Sequence, residues 1–138
     1  MRLFAPKGSD GARELLRALS RGESVALMND QKFNQGIAVP FFGHEAMTAP
    51  GPTRFALKFK APIVPVSCHR TGKARYRITI HEPFHPTPDA DEHKAIYASV
   101  LRINQFVEAI IREAPEEWFW MHNRWPKEEW AKAGVMGR

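Results

Sequence analysis

Cysteine and long apolar runs are scarce in this sequence of 138 residues. Cys68 is the only cysteine, so no intramolecular disulfide can form, as is typical of proteins from a reducing compartment. Its apolar neighbours predict a buried, unreactive thiol. The sequence has no run of about 18 apolar residues, the minimum for a transmembrane helix, so none is expected within it.

Several catalytic and metal-binding signatures are also missing. The sequence has no Gly-x-Ser-x-Gly elbow for a serine nucleophile and no glycine-rich phosphate loop. The six histidines do not have the spacing of a metal site, and no Cys-x2-Cys accompanies them. We therefore expect no metal and no cofactor.

The charge balance favours anionic partners without choosing among them. Twenty basic and fifteen acidic residues give a net charge of +5 and an isoelectric point near 9.7. Nucleic acid, an acidic protein and a membrane surface all fit such a charge. A hydrophobic content of 43% is that of an ordinary globular domain, and the length fits a single domain over residues 1–138.

The order of periodic segments predicts an α/β fold. Leucines at helical spacing predict a helix that ends at Gly22, and the run Val25–Met28 predicts a buried strand. The segment 37–42 is extended, with Pro40 at a sheet edge, and a helix follows from Pro52. Met1–Phe4 also resembles a strand.

The second half of the chain predicts a hairpin and a long helix. The segment 61–68 reads as a buried strand, and 75–80 alternates as a half-buried strand beyond a turn at 71–73, which favours an antiparallel pair. A broad apolar stripe predicts a helix from Asp91 to Pro115. The tail that follows, PEEWFWMHNRWPKEEW, is rich in tryptophan, which favours packing on the core over binding of bases or a membrane interface.

Two polar segments are candidates for a site. The stretch NDQKFNQG places Asp30 directly after a predicted strand, where α/β sheets gather ligands. The residues around Thr48 and Gly51 open a helix, whose first N–H groups attract phosphate or an oxyanion. For the first segment, satisfaction of loop N–H groups is an alternative explanation of the polar residues. For the second segment, the alternative is a plain proline-rich helix start.

Five segments in order resemble one family. They are DQ at 30–31, GIAVPFFG at 36–43, the Thr-x-x-Gly-Pro turn at 48–52, APIVPV at 61–66, and INQFVEAIIREAPEEWFWMHNRW at 103–125. Together they resemble the C-terminal half of the lipid A biosynthesis acyltransferases of the lauroyl/myristoyl type, within the lysophospholipid acyltransferase superfamily. The resemblance covers roughly residues 3–127.

The resemblance implies a fold, an activity and partners. The fold would be a mixed sheet flanked by helices, like that of the glycerol-phosphate acyltransferases. The family moves a fatty acyl group from acyl carrier protein to a hydroxyl of a lipid A precursor, at the cytoplasmic face of the bacterial inner membrane. A His-x4-Asp/Glu pair supplies the base and its orienting carboxylate.

That catalytic pair is missing from this sequence. None of the six histidines is followed five residues later by Asp or Glu. In the family the pair and a membrane anchor lie upstream of the matching segment. We therefore expect a fragment that is incomplete at its N-terminus, has no catalytic residues of its own, is inactive alone and associates only peripherally with the membrane. An uncovered apolar surface is expected to make it marginally stable or oligomeric.

The resemblance also suggests which residues contact substrates. The substrate-binding set that it implies is Asp30, Gln31, Lys32, Phe41, Thr48, Gly51 and Arg54. Asp30 is the first candidate, because the polar loop would serve the acceptor lipid or the catalytic pair. Gln31 and Lys32 would contact sugar hydroxyls or phosphate, and Phe41 would line the acyl channel or simply pack.

Two other functions stay open on the sequence alone. One is a non-catalytic module that binds lipid or acyl carrier protein. The other is a small basic nucleic-acid binder, which would show steep salt dependence. No recognised nucleic-acid motif is present, so nucleic acid is not an expected partner.

Overall fold

The computed structural model describes residues 9–132 and residue 134, and it confirms the α/β class. The predicted strand at Met1–Phe4 lies outside the described residues. Within them the strands form two separate two-stranded antiparallel sheets. The elements in chain order are α1 (Ser9–Ser20), β1 (Ile37–Phe41), β2 (His44–Thr48), α2 (Gly51–Phe59), β3 (Val66–Gly72), β4 (Arg75–Ile80), α3 (Glu92–Glu113), a 3-10 turn (Pro115–Glu117) and α4 (Lys127–Lys132).

The helices follow the sequence predictions closely. Gly22, at φ +74°, terminates the first helix in the left-handed conformation that glycine adopts without strain. Asp91 caps α3, because its side chain accepts a hydrogen bond from the N–H of His93 at 2.9 Å. The apolar periodicity and these stop signals are local, which is why the sequence predicts them.

The core lies between α3 and the β1–β2 hairpin. One cluster joins Val39 of β1 to Ile96 and Val100 of α3, and a second joins Phe41 to Ile111. The two clusters repeat along α3 at helical spacing while β1 contributes every second residue. This packing fixes the hairpin against the long helix.

The β1–β2 turn uses an unusual residue. Phe42 and Gly43 both have positive φ, 52° and 79°, as the two central residues of a type I′ hairpin turn require. Phenylalanine rarely adopts this conformation. Here the N–H of Phe42 donates to Glu108 Oε1 at 2.8 Å, and its ring packs edge-on against Phe41 at 4.9 Å. Contacts to α3 therefore compensate for the backbone strain.

The predicted hairpin at 61–80 forms, but it is not buried as predicted. The strand starts only at Val66, and all six residues of β4 are exposed. Cys68 is exposed too, so the prediction of a buried thiol is wrong. The reason is that the described residues pair β3 with β4 alone and leave one face of this ribbon without a covering layer.

The predicted strand at Val25–Met28 does not form. This segment has no regular secondary structure, and Leu27 and Met28 are 41% and 81% exposed. A short apolar run becomes a strand only when another strand supplies backbone partners. No such partner stands beside it among the residues that the structure describes.

Candidate functional site

The polar loop at 29–36 is joined to the aromatic tail. Asp30 Oδ2 accepts a hydrogen bond from Trp118 Nε1 at 3.3 Å. The N–H of Lys32 donates to His122 Nε2 at 3.1 Å, and the N–H of Phe33 donates to the carbonyl of Met47 at 3.0 Å. Residues about ninety positions apart therefore hold the loop in place. The side chain of Asp30 therefore does more than satisfy backbone N–H groups of its own loop.

Arg124 lies at the centre of this arrangement and is fully buried. Its Nη1 donates to the carbonyl of Met47 at 3.0 Å, and its Nη2 donates to Thr48 Oγ1 at 2.7 Å. The guanidinium stacks over Phe41 at 4.8 Å, while Nε has no partner in the described structure. Burial lowers the pKa of Arg124 from its usual value to about 10, and the negative charge of Asp30 opposes this effect.

The hydroxyl of Thr48 connects three elements. It donates to the carbonyl of Ala46 at 3.0 Å and accepts from Arg124 and, at 3.3 Å, from Asn104 Nδ2. Asn104 also donates to the carbonyl of Pro40 at 3.0 Å. The hydroxyl thus uses its one donor and both lone pairs. Because Thr48 is fully buried, any contact with a substrate would require this network to open.

Phe41 packs among tryptophans. Its ring lies 5.7 Å from Trp118 and 5.6 Å from Trp125, and the carbonyl of Phe41 accepts from Trp125 Nε1 at 3.0 Å. The side chain is fully buried. Phe41 was predicted either to line the acyl channel or to pack in the core, and these contacts are packing contacts.

The start of α2 follows directly on Thr48. Its N-cap, Pro50, makes no side-chain cap, and Pro52 has no N–H. Thr53, in the same turn, is fully buried, and its hydroxyl has no partner in the described structure. A β-carbon added at Gly51 would meet nothing within 4 Å, so the space there is open. Arg54 is exposed beside it.

The structure therefore brings together part of the predicted set. Asp30, Lys32, Phe41 and Thr48 meet around the tail, and Gly51 and Arg54 continue from Thr48 along α2. Gln31 is exposed on the loop. All of these contacts are between residues of the chain and involve no substrate, so the substrate-binding set stays a prediction.

Two histidines meet carboxylates without matching the predicted catalytic spacing. His69 lies between Glu117, 3.4 Å from its Nδ1, and Glu113, 3.6 Å from its Nε2. The imidazole thus lies between two glutamates, 44 and 48 residues further along the chain. His44 lies 3.5 Å from Glu129, but that carboxylate is shared with Lys132.

Glu129 gives a prediction for acid stability. Its pKa is lowered below 4.5, first by the hydrogen bond from Lys132 and then by His44. The folded state therefore binds fewer protons, and this stabilisation is present above pH 4.5 and is lost as the pH falls through the lower folded pKa. We expect Glu129→Gln to reduce the fall in thermal midpoint below pH 4.5, measured by circular dichroism. Glu128→Gln, on the same helix, is the control and should keep the wild-type profile.

Sequence reasoning missed the residues that organise this site. The substrate-binding candidates did not include Arg124, His122 or Asn104. The tail HNRW signals the first two by placing an arginine and a histidine among aromatics, whereas Asn104 lies within the long helix and has no such signal. The sequence-based prediction that the tryptophan rings pack on the core is confirmed for Trp118 and Trp125. The guanidinium of Arg124 stacks on the ring of Phe41, so this arginine–aromatic contact is a packing contact within the chain.

The fold and site define a mixed α/β structure in which a polar loop, a helix start and an aromatic tail converge on one buried threonine. The chain belongs to the bacterial lipid A biosynthesis acyltransferase family, whose family model matches residues 2–127. This match confirms the resemblance seen in the sequence. No curated protein matches the chain. Family membership implies acyl transfer, with an acyl donor and a lipid acceptor as substrates.

The described residues contain neither a helix that could span a membrane nor a candidate metal cluster. None of their helices has the length and apolarity that crossing a bilayer demands. Within the same residues, no three His, Cys, Asp or Glu side chains are grouped as metal ligands would be.

Proposed function

We propose that this chain is the C-terminal part of a single acyltransferase domain that moves a fatty acyl group from acyl carrier protein to a hydroxyl of a lipid A precursor. The match to the family over residues 2–127 carries the proposal. The chain supplies substrate contacts, while the catalytic His-x4-Asp/Glu pair, which its sequence lacks, comes from residues outside it.

The acceptor meets the polar loop. Asp30 and Gln31 hydrogen-bond sugar hydroxyls, and Lys32 provides a point charge for a phosphate. The bonds from Trp118 to Asp30 and from Lys32 to His122 support this assignment, because they hold the loop in one conformation before substrate binds. A preorganised loop loses less conformational entropy on binding.

The donor meets α2. The uncapped N–H of Gly51 suits the developing oxyanion of a thioester or a phosphate. Arg54, Lys58 and Lys60 are exposed on and just after this helix and carry no acidic neighbour within α2. Acyl carrier protein is acidic, so these charges would attract it, and the attraction would weaken as salt rises.

The place of action is the cytoplasmic face of the inner membrane, where the lipid acceptor is embedded. The net charge of +5 suits the anionic inner leaflet. The chain would contact that leaflet peripherally, through its basic surface.

A second candidate is a non-catalytic module that binds the lipid or acyl carrier protein. The observation that favours it is the absence of the His-x4-Asp/Glu pair from the sequence. Both candidates predict substrate binding, and they differ in whether a longer polypeptide carries the chain and the pair together.

The test is binding and transfer with the purified chain. We expect it to bind a lipid A precursor and acyl–acyl carrier protein, measured by calorimetry, and to transfer no radiolabelled acyl group. Transfer by the chain alone would contradict the requirement for an external pair and would support the enzyme class. If the chain binds neither the lipid A precursor nor acyl–acyl carrier protein, both candidates are contradicted.

Asp30 gives the sharpest variant. Asp30→Asn keeps an oxygen that can accept from Trp118 Nε1 but removes the charge, whereas Asp30→Ala removes both. We expect both variants to bind the lipid A precursor roughly tenfold more weakly, about the contribution of one charge-assisted hydrogen bond. Asp89→Asn, an exposed loop carboxylate, is the control. If Asp30→Asn binds like the wild type and only Asp30→Ala is weakened, Asp30 serves the packing of the tail and leaves the substrate set.

A further inference from the structure

Two hydrogen bonds to the tail hold the polar loop on either side of Gln31. Before it, Asp30 Oδ2 accepts from Trp118 Nε1 at 3.3 Å. After it, the N–H of Lys32 donates to His122 Nε2 at 3.1 Å. Asp30, Lys32 and His122 are partly buried, whereas Gln31 between the two anchors is exposed. The loop therefore presents Gln31 from a chain that is held at both of its neighbours.

The segment that carries His122 is itself anchored. The N–H of His122 closes a turn on the carbonyl of Phe119 at 3.1 Å. Two residues further on, Arg124 is fully buried and donates to the carbonyl of Met47 at 3.0 Å. That same carbonyl accepts from the N–H of Phe33 at 3.0 Å. Two consecutive N–H groups of the loop thus end on the tail and on a carbonyl that the tail also binds.

The contact with Lys32 fixes the protonation of the His122 ring. A backbone N–H can only donate, so Nε2 of His122 is the accepting nitrogen. The neutral ring then carries its proton on Nδ1. A doubly protonated ring would have two donors and no acceptor, and it would place a positive charge against the N–H of Lys32. The contact therefore requires a neutral His122.

The charged groups at this junction act in the same direction. The loop contributes Asp30 and Lys32, the tail contributes Arg124, and strand β2 contributes the uncharged Met47. Two of these three charges are positive, and the carboxylate of Asp30 already accepts from the tail. A proton added to His122 would bring a further positive charge to the junction, which adds to the loss of the acceptor.

We propose that His122 is a positioning residue for the acceptor, which holds the substrate-binding loop through the backbone of Lys32 while its ring is neutral. The inference rests on the proposed function, since the loop at Asp30, Gln31 and Lys32 is there assigned to the lipid A precursor. His122 acts through Lys32 and touches no substrate. Because the ring takes the Lys32 N–H, the side chains of Gln31 and Lys32 are left for sugar hydroxyls and phosphate.

Two substitutions separate the accepting atom from the ring. His122→Gln keeps an amide oxygen that can accept at the reach of Nε2, and it does not titrate. His122→Phe keeps a ring and removes the acceptor. We expect His122→Phe to bind the lipid A precursor roughly tenfold more weakly in calorimetry, and His122→Gln to stay within about threefold of the wild type. His93→Phe, at an exposed position on α3, is the control and should bind like the wild type.

The pH profile of binding is a readout that a purely structural residue would not move. Histidine changes charge between about pH 5 and 8, so the wild type should lose precursor affinity as the pH falls through this range. A phosphate on the precursor also titrates near about pH 6, so wild type and His122→Gln are compared at each pH. We expect the ratio of the wild-type Kd to the His122→Gln Kd to rise about fivefold from about pH 8 to about pH 5.5.

A measurement without substrate tests the loop on its own. Long-range nitrogen–proton correlation in nuclear magnetic resonance spectra at about pH 8 should show His122 protonated on Nδ1 and unprotonated on Nε2. The Lys32 amide should exchange with solvent about tenfold faster in His122→Phe than in the wild type or His122→Gln. Exchange of the α3 amides and the circular dichroism spectrum should be unchanged, which shows that each variant is folded.

Three results would overturn the proposal. They are a proton on Nε2 of His122 at about pH 8, precursor binding by His122→Phe that equals the wild type, and a His122→Gln variant that is as weak as His122→Phe at every pH. If the wild-type chain binds no precursor, the proposed function fails instead, and exchange of the Lys32 amide still decides whether His122 holds the loop.

Discussion

Arg124→Ala is expected to destabilise the fold by about 4 kcal/mol, because the substitution combines a cavity with the loss of two buried, charge-assisted hydrogen bonds. Removing the guanidinium takes one of two donors from the carbonyl of Met47 and one of two from Thr48 Oγ1, which is fully buried. It also removes the cation from the face of Phe41. Urea unfolding followed by tryptophan fluorescence measures the change, since Trp118 and Trp125 pack in the same cluster.

Arg112→Ala is a matched control for this prediction. Arg112 also stacks on a phenylalanine, with its guanidinium 4.6 Å from the ring centre of Phe42. Its side chain is 64% exposed, and its partner Glu108 is 3.6 Å away on the same helix. An exposed pair of this kind contributes well under about 1 kcal/mol. Equal losses for the two alanine variants would contradict the structural role assigned to Arg124.

Arg124→Lys separates charge from geometry. Lysine keeps a positive charge but cannot donate to Met47 and Thr48 through one planar fork. We expect this variant to lose at least half of the stability that Arg124→Ala loses. A wild-type midpoint would mean that any cation at this position suffices.

The sequence predicted the elements whose signals are local. The apolar stripe of α3, the helix at Gly51–Phe59 and the hairpin at 66–80 each arise from residues within one element and its stop signals. The short strand β2 was missed because HEAMT contains little alternation, and its pairing depends on the turn at Phe42 and Gly43. That turn is held partly by Glu108, which lies 66 residues away from Phe42.

The sequence could not predict where apolar runs become buried. Val25–Met28 and β4 have the composition of covered strands, yet Met28 and Ile80 are largely exposed. Burial depends on a covering layer that periodicity does not specify. The candidate site shows the same limit: the loop at Asp30 was identified from its polarity, whereas Arg124 acts there only because the fold returns the tail to that loop.

Gly36→Ala is the second prediction with a large effect, a loss of about 3 kcal/mol or more. A β-carbon at Gly36 would lie 2.2 Å from the carbonyl oxygen of Thr48 and 2.8 Å from that of Phe33. Both are backbone atoms, so no side chain can rotate away, and the β1–β2 ladder must shift where Ile37 pairs with Thr48. The shift would also displace the hydroxyl that accepts from Arg124.

Gly51→Ala provides the contrast, because a β-carbon there meets nothing within 4 Å. We expect its free energy of unfolding to be unchanged or raised by up to about 1 kcal/mol, as alanine restricts the unfolded chain. A loss for Gly36→Ala no larger than that for Gly51→Ala would contradict the close approach of β1 to Thr48. If the contrast holds, the loop at Asp30 and the start of α2 are positioned by one backbone contact, since Gly36 ends the loop and Thr48 leads into the helix. Gly36→Ala should then also weaken lipid A precursor binding at temperatures where the variant is still folded.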